Sequence, residues 1–383
     1  MIVEIQGVDF INKGGELMTH AIVQHVASLP GNNIVAAHLR MGNFQQRAKT
    51  GLHHLSWVYY EKAPWVGSVI DGFSRFIPKP LLNSLKITTN SQIYAVLDAS
   101  GFTYGDQQGA RMIEIMANRT KRWKKEGKKL ILLPQAFGPF QKKAVKEAFL
   151  EILKNADFVF ARDPVSYHYL MELECSQSKI KIAPDFTNLV KGEIPPYFQS
   201  NSRQGCIVPN YRMIQRTSSA EKENYLSFLT FCTKYLIKKG IEPFALIHET
   251  NRDYELALQL QSEVGVAIKI IQEPNPLYIK GILGNCFIVI GSRFHSLVST
   301  LSQGVPCMGT GWSHKYQMLF EDYNCSDSLV SPIDSPDKIS NLLDKLIEEP
   351  SRSELIAGIN AGATEQKKRS TQMWRDVDHF LGF

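Results

Sequence analysis

The run Cys286-Phe-Ile-Val-Ile290 leads into Gly291-Ser292-Arg293-Phe294-His295-Ser296, and Ser302-Gln303-Gly304-Val305-Pro306 follows shortly after. Five apolar residues in a row read as a short buried strand. Gly291 turns the chain. Ser292 reads as the N-cap of a helix that ends at Gly304, and Val305–Met308 reads as the next strand. A buried strand, a helix and a second buried strand in so short a stretch imply parallel strands covered by helices. The same reading puts Arg293 and His295 in the first turn of a helix, at a strand's carboxyl end. A cation there costs about 0.3–1 kcal/mol against the helix dipole. A bound anion would reverse that cost, because backbone N–H groups, guanidinium and imidazole would converge on it. The plain alternative is a buried Arg and His satisfied by neighbouring carbonyls.

Outward from this unit the alternation holds along the whole chain. In the first half, strands are expected at Ile2–Gln6, Asn33–Leu39, Ile93–Asp98, Leu130–Pro134, Asp157–Ala161 and Ile180–Ala183. Helices are expected at Glu16–Leu29, Gly109–Glu126, Lys142–Asn155 and Pro164–Leu173. Asp163-Pro164 marks a helix start, an N-cap followed by Pro at the first position. Asp185–Gln204 contains Pro195-Pro196 and ends in polar residues, so it reads as a linker. A second series follows. Its strands are expected at Cys206–Val208, Ile241–Ile247, Ala267–Ile271, Cys286–Ile290 and Val305–Met308. Its helices are expected at Glu221–Lys239, Tyr254–Val264, Pro276–Leu283, Arg293–Ser302 and Ser335–Glu348. A last helix, Glu354–Phe380, closes the chain.

The expected fold class is α/β, with two Rossmann-like domains facing a cleft, the layout of glycosyltransferase B proteins. The division is 1–190, 204–350, and a C-terminal helix in 351–383 that packs back on the first domain. In open parallel sheets ligands sit beyond the carboxyl ends of the strands, so the polar loops are expected to line the cleft. Other two-domain α/β folds share this pattern.

Of the 383 residues, 44% are hydrophobic and 21% charged, which fits a globular enzyme. The net charge of +6 suits anionic small molecules or an anionic membrane surface. No aromatic-plus-basic RNA motif or zinc-finger spacing accompanies it, so nucleic acid is not an expected partner. The six cysteines are scattered without a C-x-x-C pair, which points to a reducing cytoplasm. The amino terminus enters a strand at once and carries Glu4, so no signal peptide is expected. No apolar stretch approaches the ~20 residues needed to span a bilayer.

Several other loops carry polar residues at strand ends. Leu130-Ile-Leu-Leu-Pro134 empties into Gln135-Ala136-Phe137-Gly138-Pro139, either a ligand-facing loop or an ordinary connection. Arg162 closes a strand before the helix that Asp163 caps; a structural ion pair and an anion-facing role are both open to it. In Asp98-Ala-Ser100-Gly101-Phe-Thr-Tyr104-Gly105-Asp106, Gly101 lets backbone approach a ligand closely. Asn12-Lys-Gly14-Gly15-Glu16 offers a similar loop before the first helix. His248 ends another strand, where it lines the cleft or simply packs. His314, in Trp312-Ser-His314-Lys315, could hold a sugar or phosphate. No G-x-G-x-x-G, Walker or G-x-S-x-G pattern occurs, and no group of residues has metal-ligand spacing.

Two segments suit a membrane surface. Lys121–Lys129 has six cations, one acid and a Trp. Phe73–Leu82 mixes aromatics with Arg75, Lys79 and prolines. Both could rest on anionic headgroups, although a charge run is ordinarily a solvated helix end.

Taken together, Asn12–Glu16, Ser100–Asp106, Pro134–Phe140, Ala161–Pro164 and Gly291–Pro306 resemble the polysaccharide pyruvyl transferase family. The Arg-x-His helix followed by Ser-x-Gly-Val-Pro is the most specific part. The sequence departs from the family at Phe294, where Leu is usual, at Glu16, which shifts the loop's acid by one, and at Ala136, where Ser or Thr is common. The resemblance implies a glycosyltransferase-B-like fold and transfer of the enolpyruvyl unit of phosphoenolpyruvate to a sugar, giving a ketal during surface polysaccharide synthesis. His295 would act as general acid and base, with phosphate stabilisation as its fallback. Arg293 would bind the phosphate and Arg162 the carboxylate. Gln135, Ser100 and Glu16 would face the acceptor, a sugar or lipid-linked oligosaccharide. Ser292, Gly101, His248 and His314 complete the expected substrate-binding set. Neither a metal nor a cofactor beyond the donor is called for.

Two other functions fit the same pattern. One is a glycosyltransferase using nucleotide sugars, although Gly291–Met308 has none of the acids that retaining members use there. The other is a non-catalytic anion-binding subunit of a polysaccharide assembly machine.

Overall fold

A computed structural model describes residues 1–56, 69, 72, 76–173, 177–199, 203–249 and 251–383. Cys175 and the 73–75 start of the second lipid-facing candidate lie outside the described residues. The chain forms two compact units. The first comprises Met1–Phe10, Met18–Phe186 and Ser370–Phe383; the second comprises Ile11–Leu17 and Thr187–Arg369. The short Ile11–Leu17 piece therefore departs from the expected 1–190 domain. The expected C-terminal segment 351–383 divides as well, since only Ser370–Phe383 groups with the first unit.

Among the described residues the first unit is built on eight strands: β1 (Ile2–Gln6), β2 (Ile34–His38), β3 (His53–Leu55), β4 (Ile87–Thr88), β5 (Ala95–Asp98), β6 (Lys129–Gln135), β7 (Phe158–Ala161) and β8 (Ile180–Ile182). They lie parallel in the order β4-β3-β2-β1-β5-β6-β7-β8, with Val3 opposite Val35 on one side and Ala95 on the other. Its helices are α1 (Lys13–Ser28, whose first turn belongs to the second unit), α2 (Phe44–Lys49), α3 (Lys79–Ser84), α4 (Ala110–Lys125), α5 (Lys143–Asn155) and α6 (Pro164–Met171). Asp163 caps α6 by accepting from Ser166 N at 2.7 Å, with Pro164 in the first turn, as the sequence indicated.

The second unit holds β9 (Gln204–Val208), β10 (Glu242–Ile247), β11 (Lys269–Gln272), β12 (Ile288–Gly291) and β13 (Cys307–Gly309). They are parallel in the order β11-β10-β9-β12-β13. Helices α7 (Arg212–Arg216), α8 (Ser219–Lys238), α9 (Asn251–Val264), α10 (Pro276–Gly284), α11 (Phe294–Leu301), α12 (His314–Asp322), α13 (Pro336–Ile347) and α14 (Ser351–Leu381, whose end from Ser370 belongs to the first unit) accompany them. Strand β12 is buried along its whole length, the pattern of a parallel strand covered on both faces. Helix α13 buries Ile339, Leu342, Leu343, Leu346 and Ile347, one stripe at helical spacing. The five described cysteines are buried free thiols.

The basic run at the end of α4 corrects the first lipid-facing candidate. Trp123 is 2% exposed and packs in the core with Leu130 and Phe149. Lys124 pairs with Asp157 at 2.9 Å, Arg122 with Glu126 at 2.6 Å, Lys128 with Glu126 at 2.9 Å and Lys121 with Glu151 at 3.6 Å. Lys129 donates to the Phe380 carbonyl and lies over the Tyr94 ring. Five of the six cations thus have partners within the first unit, and the indole is buried in the core. Among the described residues, no helix is long and apolar enough to cross a membrane.

Candidate active site

In the second unit, β9 and β12 are neighbours from which the chain leaves in opposite directions, to β10 on one side and β13 on the other. Ligands of open parallel sheets sit at such a switch point, beyond the strands' carboxyl ends. Asn210 follows β9, His248 and Glu249 follow β10, Ser292 and Arg293 follow β12, and Thr310 follows β13.

Ser292 is not the helix cap that its spacing suggested. The cap position of α11 belongs to Arg293, at φ −95° and ψ 121°, without a side-chain cap bond. Ser292 instead joins a buried hydroxyl chain. Asn210 N donates to the Tyr225 hydroxyl at 3.0 Å, which bonds Ser292 Oγ at 2.8 Å, which bonds Thr310 Oγ1 at 2.6 Å. The Ser292 carbonyl accepts from Asn210 Nδ2 at 2.6 Å and from the Tyr316 hydroxyl at 3.1 Å. These bonds fix the strand ends to one another and occupy the Ser292 side chain.

Arg293 also departs from expectation. Its Nη2 donates to both Asp253 oxygens, at 2.8 and 2.6 Å, and Nε donates to Oδ2 at 3.1 Å. Nη1 pairs with Glu249. Asp253 is fully buried and also accepts from Tyr211 N at 2.9 Å. Burial pushes the Arg293 pKa down to about 10, which still leaves it charged at neutral pH. Two carboxylates on one guanidinium give a formally negative cluster, poorly suited to a phosphate. A cation at a helix start needs an anion, and here the protein supplies its own.

His295 sits half-buried in the first turn of α11. Against it lies the turn that starts α1. Asn12 holds that turn by accepting from Gly14 N at 2.9 Å through Oδ1 and from Glu16 N at 3.0 Å through its carbonyl. Gly14 packs on the imidazole so closely that a β-carbon there would lie 2.0 Å from Nδ1. Glu16 is buried and pairs with Lys13 at 2.6 Å. The Phe294 ring meets His295 edge-on at 5.5 Å. Lys315 lies over the rings of Trp312, Phe294 and Tyr316, at 4.9, 5.1 and 5.4 Å from their centroids. His314 opens α12 beside it. His248 is fully buried. Burial first, then the charges of Arg293, His295 and Lys13, hold its pKa well below 6.5, so it is neutral. Its Nδ1 has no hydrogen-bond partner among the described residues.

The first unit carries its own polar group at the β1–β5 switch point. Asp98 is fully buried and accepts from Ser100 N at 3.1 Å, from Ser100 Oγ and from the Tyr104 hydroxyl. Burial raises its pKa and these bonds oppose the rise. The Ser100 hydroxyl is thereby committed to Asp98. Gly101 has φ +71° and nothing within 4 Å of where a β-carbon would stand. Gln135 closes β6 fully buried, its Oε1 without a partner among the described residues. Its carbonyl accepts from Arg162 N at 3.0 Å, and Arg162 Nη1 lies 3.4 Å from Asp185, both residues 5% exposed. The carboxylate that Arg162 meets is again one of the protein's own.

The structure thus gathers His295, Arg293, Ser292, His248, His314 and Glu16 in the second unit, and Arg162, Gln135, Ser100 and Gly101 in the first. Sequence reasoning missed Asp253, Glu249, Tyr225 and Asp98 as the groups that position them. Asp253 had a signal, because an acid in a helix's first turn is well placed to meet a cation.

The family model described as "Polysaccharide pyruvyl transferase" matches residues 12–314, most of the chain. The chain belongs to the polysaccharide pyruvyl transferase family. The matched span opens at the Asn12 turn and closes at His314, so it encloses every site residue expected from the sequence; Lys315 lies one residue beyond it. Solved structures resemble it at low identity. A putative UDP-N-acetylglucosamine 2-epimerase from Listeria monocytogenes superposes with a TM-score of 0.63 at 11% identity, covering 100% of this chain and 97% of that one. The UDP-GlcNAc 2-epimerase from Neisseria meningitidis, bound to UDP-GlcNAc, gives 0.63 at 11%, with 98% and 99% covered. A glycosyltransferase from Rickettsia africae gives 0.60 at 13%, with 99% and 97% covered. At these identities the likeness concerns the fold, which is glycosyltransferase-B-like. Among the described residues no three His, Cys, Asp or Glu side chains group as a metal site.

Proposed function

We propose that this family member moves the enolpyruvyl unit of phosphoenolpyruvate onto two hydroxyls of a sugar. The observation that carries the reading is His295, a half-buried imidazole at a helix start, pressed by the Asn12–Glu16 turn and met edge-on by Phe294, whose ring Lys315 also contacts. In this mechanism His295 gives a proton to the methylene carbon and cationic character develops at the adjacent carbon. One sugar hydroxyl adds there, and the bond to phosphate breaks. The second hydroxyl then adds and closes the ketal. Of the two hydroxyl protons, one returns to His295 and the other leaves with the phosphate. An imidazole has one ring nitrogen that can donate a proton and one that can accept it, which suits both directions of transfer.

Arg293, bound by Asp253 and Glu249, is assigned to holding the strand-to-helix turn. Lys315 takes the role of phosphate cation, its ammonium steadied by three ring faces. Gln135 and Arg162 are the candidates for recognising the acceptor, a sugar or a lipid-linked oligosaccharide. The deciding experiment is pyruvyl transfer by His295→Ala. A loss of about 10²–10⁴-fold supports the assignment, and a loss of only a few-fold removes it. Thermal shift with phosphoenolpyruvate and with UDP-GlcNAc, the ligand of the Neisseria epimerase, separates this reading from a nucleotide-sugar enzyme. Stabilisation by UDP-GlcNAc alone would replace the proposal.

A further inference from the structure

We propose that the surface formed by Phe76, Ile77, Leu81 and Leu85 docks on an anionic lipid bilayer. In α3, Leu82 turns into the core at 4% exposed, while Leu81 and Leu85 face out at 51% and 52%. Leu85 N bonds the Leu81 carbonyl at 3.1 Å and Leu81 N bonds that of Pro78 at 3.0 Å, so the two leucines share one face. Phe76, 86% exposed, and Ile77 come directly before this turn. Soluble proteins seldom gather so much outward apolar surface in so short a stretch without a partner for it.

Charge selects the partner. Residues 72–97 contain no Asp or Glu and carry Arg75, Lys79 and Lys86. Lys86 is exposed and leads directly into β4, the edge strand of the eight-stranded sheet. Large apolar side chains in an acid-free stretch that carries cations are the mixture that enters a headgroup layer, with exposed Lys86 placed to meet lipid phosphates. A second copy of this chain would bring like charges together. The contrast with the Lys121–Lys129 run is direct, since five of its six cations already have carboxylate or carbonyl partners within the protein. The inference does not depend on the donor being phosphoenolpyruvate.

The test is sedimentation of the full chain with phosphatidylcholine vesicles, with and without phosphatidylglycerol. The parent is expected to pellet with the anionic vesicles and to be released by salt. The triple variant F76S/L81S/L85S is expected to bind about tenfold more weakly, because binding scales with apolar area buried. The single variants F76S and K86E, each altering one exposed side chain, should each weaken binding and keep the test open if the triple variant folds poorly. The proposal is overturned if the parent stays in solution with both vesicle types, binds both equally, or keeps its affinity in these variants. It is also overturned if gel filtration shows a dimer of the parent that F76S disperses, which would make a second copy the occupant.

Discussion

The α-carbon of Gly14 lies so near His295 that a side chain on residue 14 would meet the imidazole, at 2.0 Å from Nδ1 and 2.4 Å from Cγ. The first turn of α1 therefore holds the ring on one side, while Phe294 meets it edge-on. A proton-transfer group gains from this kind of support, because its direction is set before substrate arrives.

Gly14→Ala tests that support. In an ordinary first turn, Ala would favour the helix by up to about 1 kcal/mol over Gly. Here it must displace His295, and overpacking of this kind costs about 1–3 kcal/mol. The expected result is a lower melting temperature and a fall in kcat of about tenfold or more. A variant more stable than the parent, with unchanged kcat, would show that the ring is not held.

Asp253→Asn removes the main partner of Arg293. The guanidinium stays buried with Glu249 as its remaining carboxylate, and breaking a buried pair costs about 3–5 kcal/mol. Urea unfolding measures it; a loss below about 1 kcal/mol would place the pair among weak surface contacts. Arg293→Lys should also destabilise, since an ammonium cannot reproduce the two-pronged contact.

Acidification should weaken the fold through its low-pKa histidines, His38, His53, His54 and His248, with His38 and His248 foremost. Burial and the charges of Arg119, Arg40 and Arg47 hold His38 down to about 4, and His248 lies well below 6.5. The unfolded chain takes up protons near 6.5 where the native protein does not. The stability they confer is therefore complete above that pH and falls between about 6.5 and 4. Melting temperatures across this range should decline, and His248→Gln should flatten the decline. An unchanged slope in that variant would show that His248 charges in the native state.

Trp123→Ala should cost about 3–5 kcal/mol, the price of emptying a large core site. If the indole instead served a lipid surface, the same change would leave stability intact and lower vesicle binding. Denaturant unfolding alongside vesicle sedimentation distinguishes the two.

Much of the architecture was readable because its strands are wholly buried. Cys286–Ile290 and Leu130–Pro134 are unbroken apolar runs, and Asp163-Pro164 punctuates its helix at the right residue. Strands β3 and β4 escaped because three and two residues establish no period. The basic run misled because cations were counted without their helix. Ile113, Met116, Ala117, Thr120 and Trp123 form a buried stripe at helical spacing, which already pointed the indole inward. His295 was legible as a candidate from its place after a strand. The engagement of Arg293 was not, since Asp253 lies 40 residues earlier on another element and no spacing rule links them.

Helix α1 begins in one unit and continues in the other, its first turn grouping with residues far along the chain. Exchange of halves between relatives therefore has an inconvenient boundary. A hybrid joined near residue 187 would set one parent's Asn12–Glu16 turn against the other parent's imidazole. Grafts that carry residues 11–17 along with the C-terminal half should retain activity that simple fusions lose.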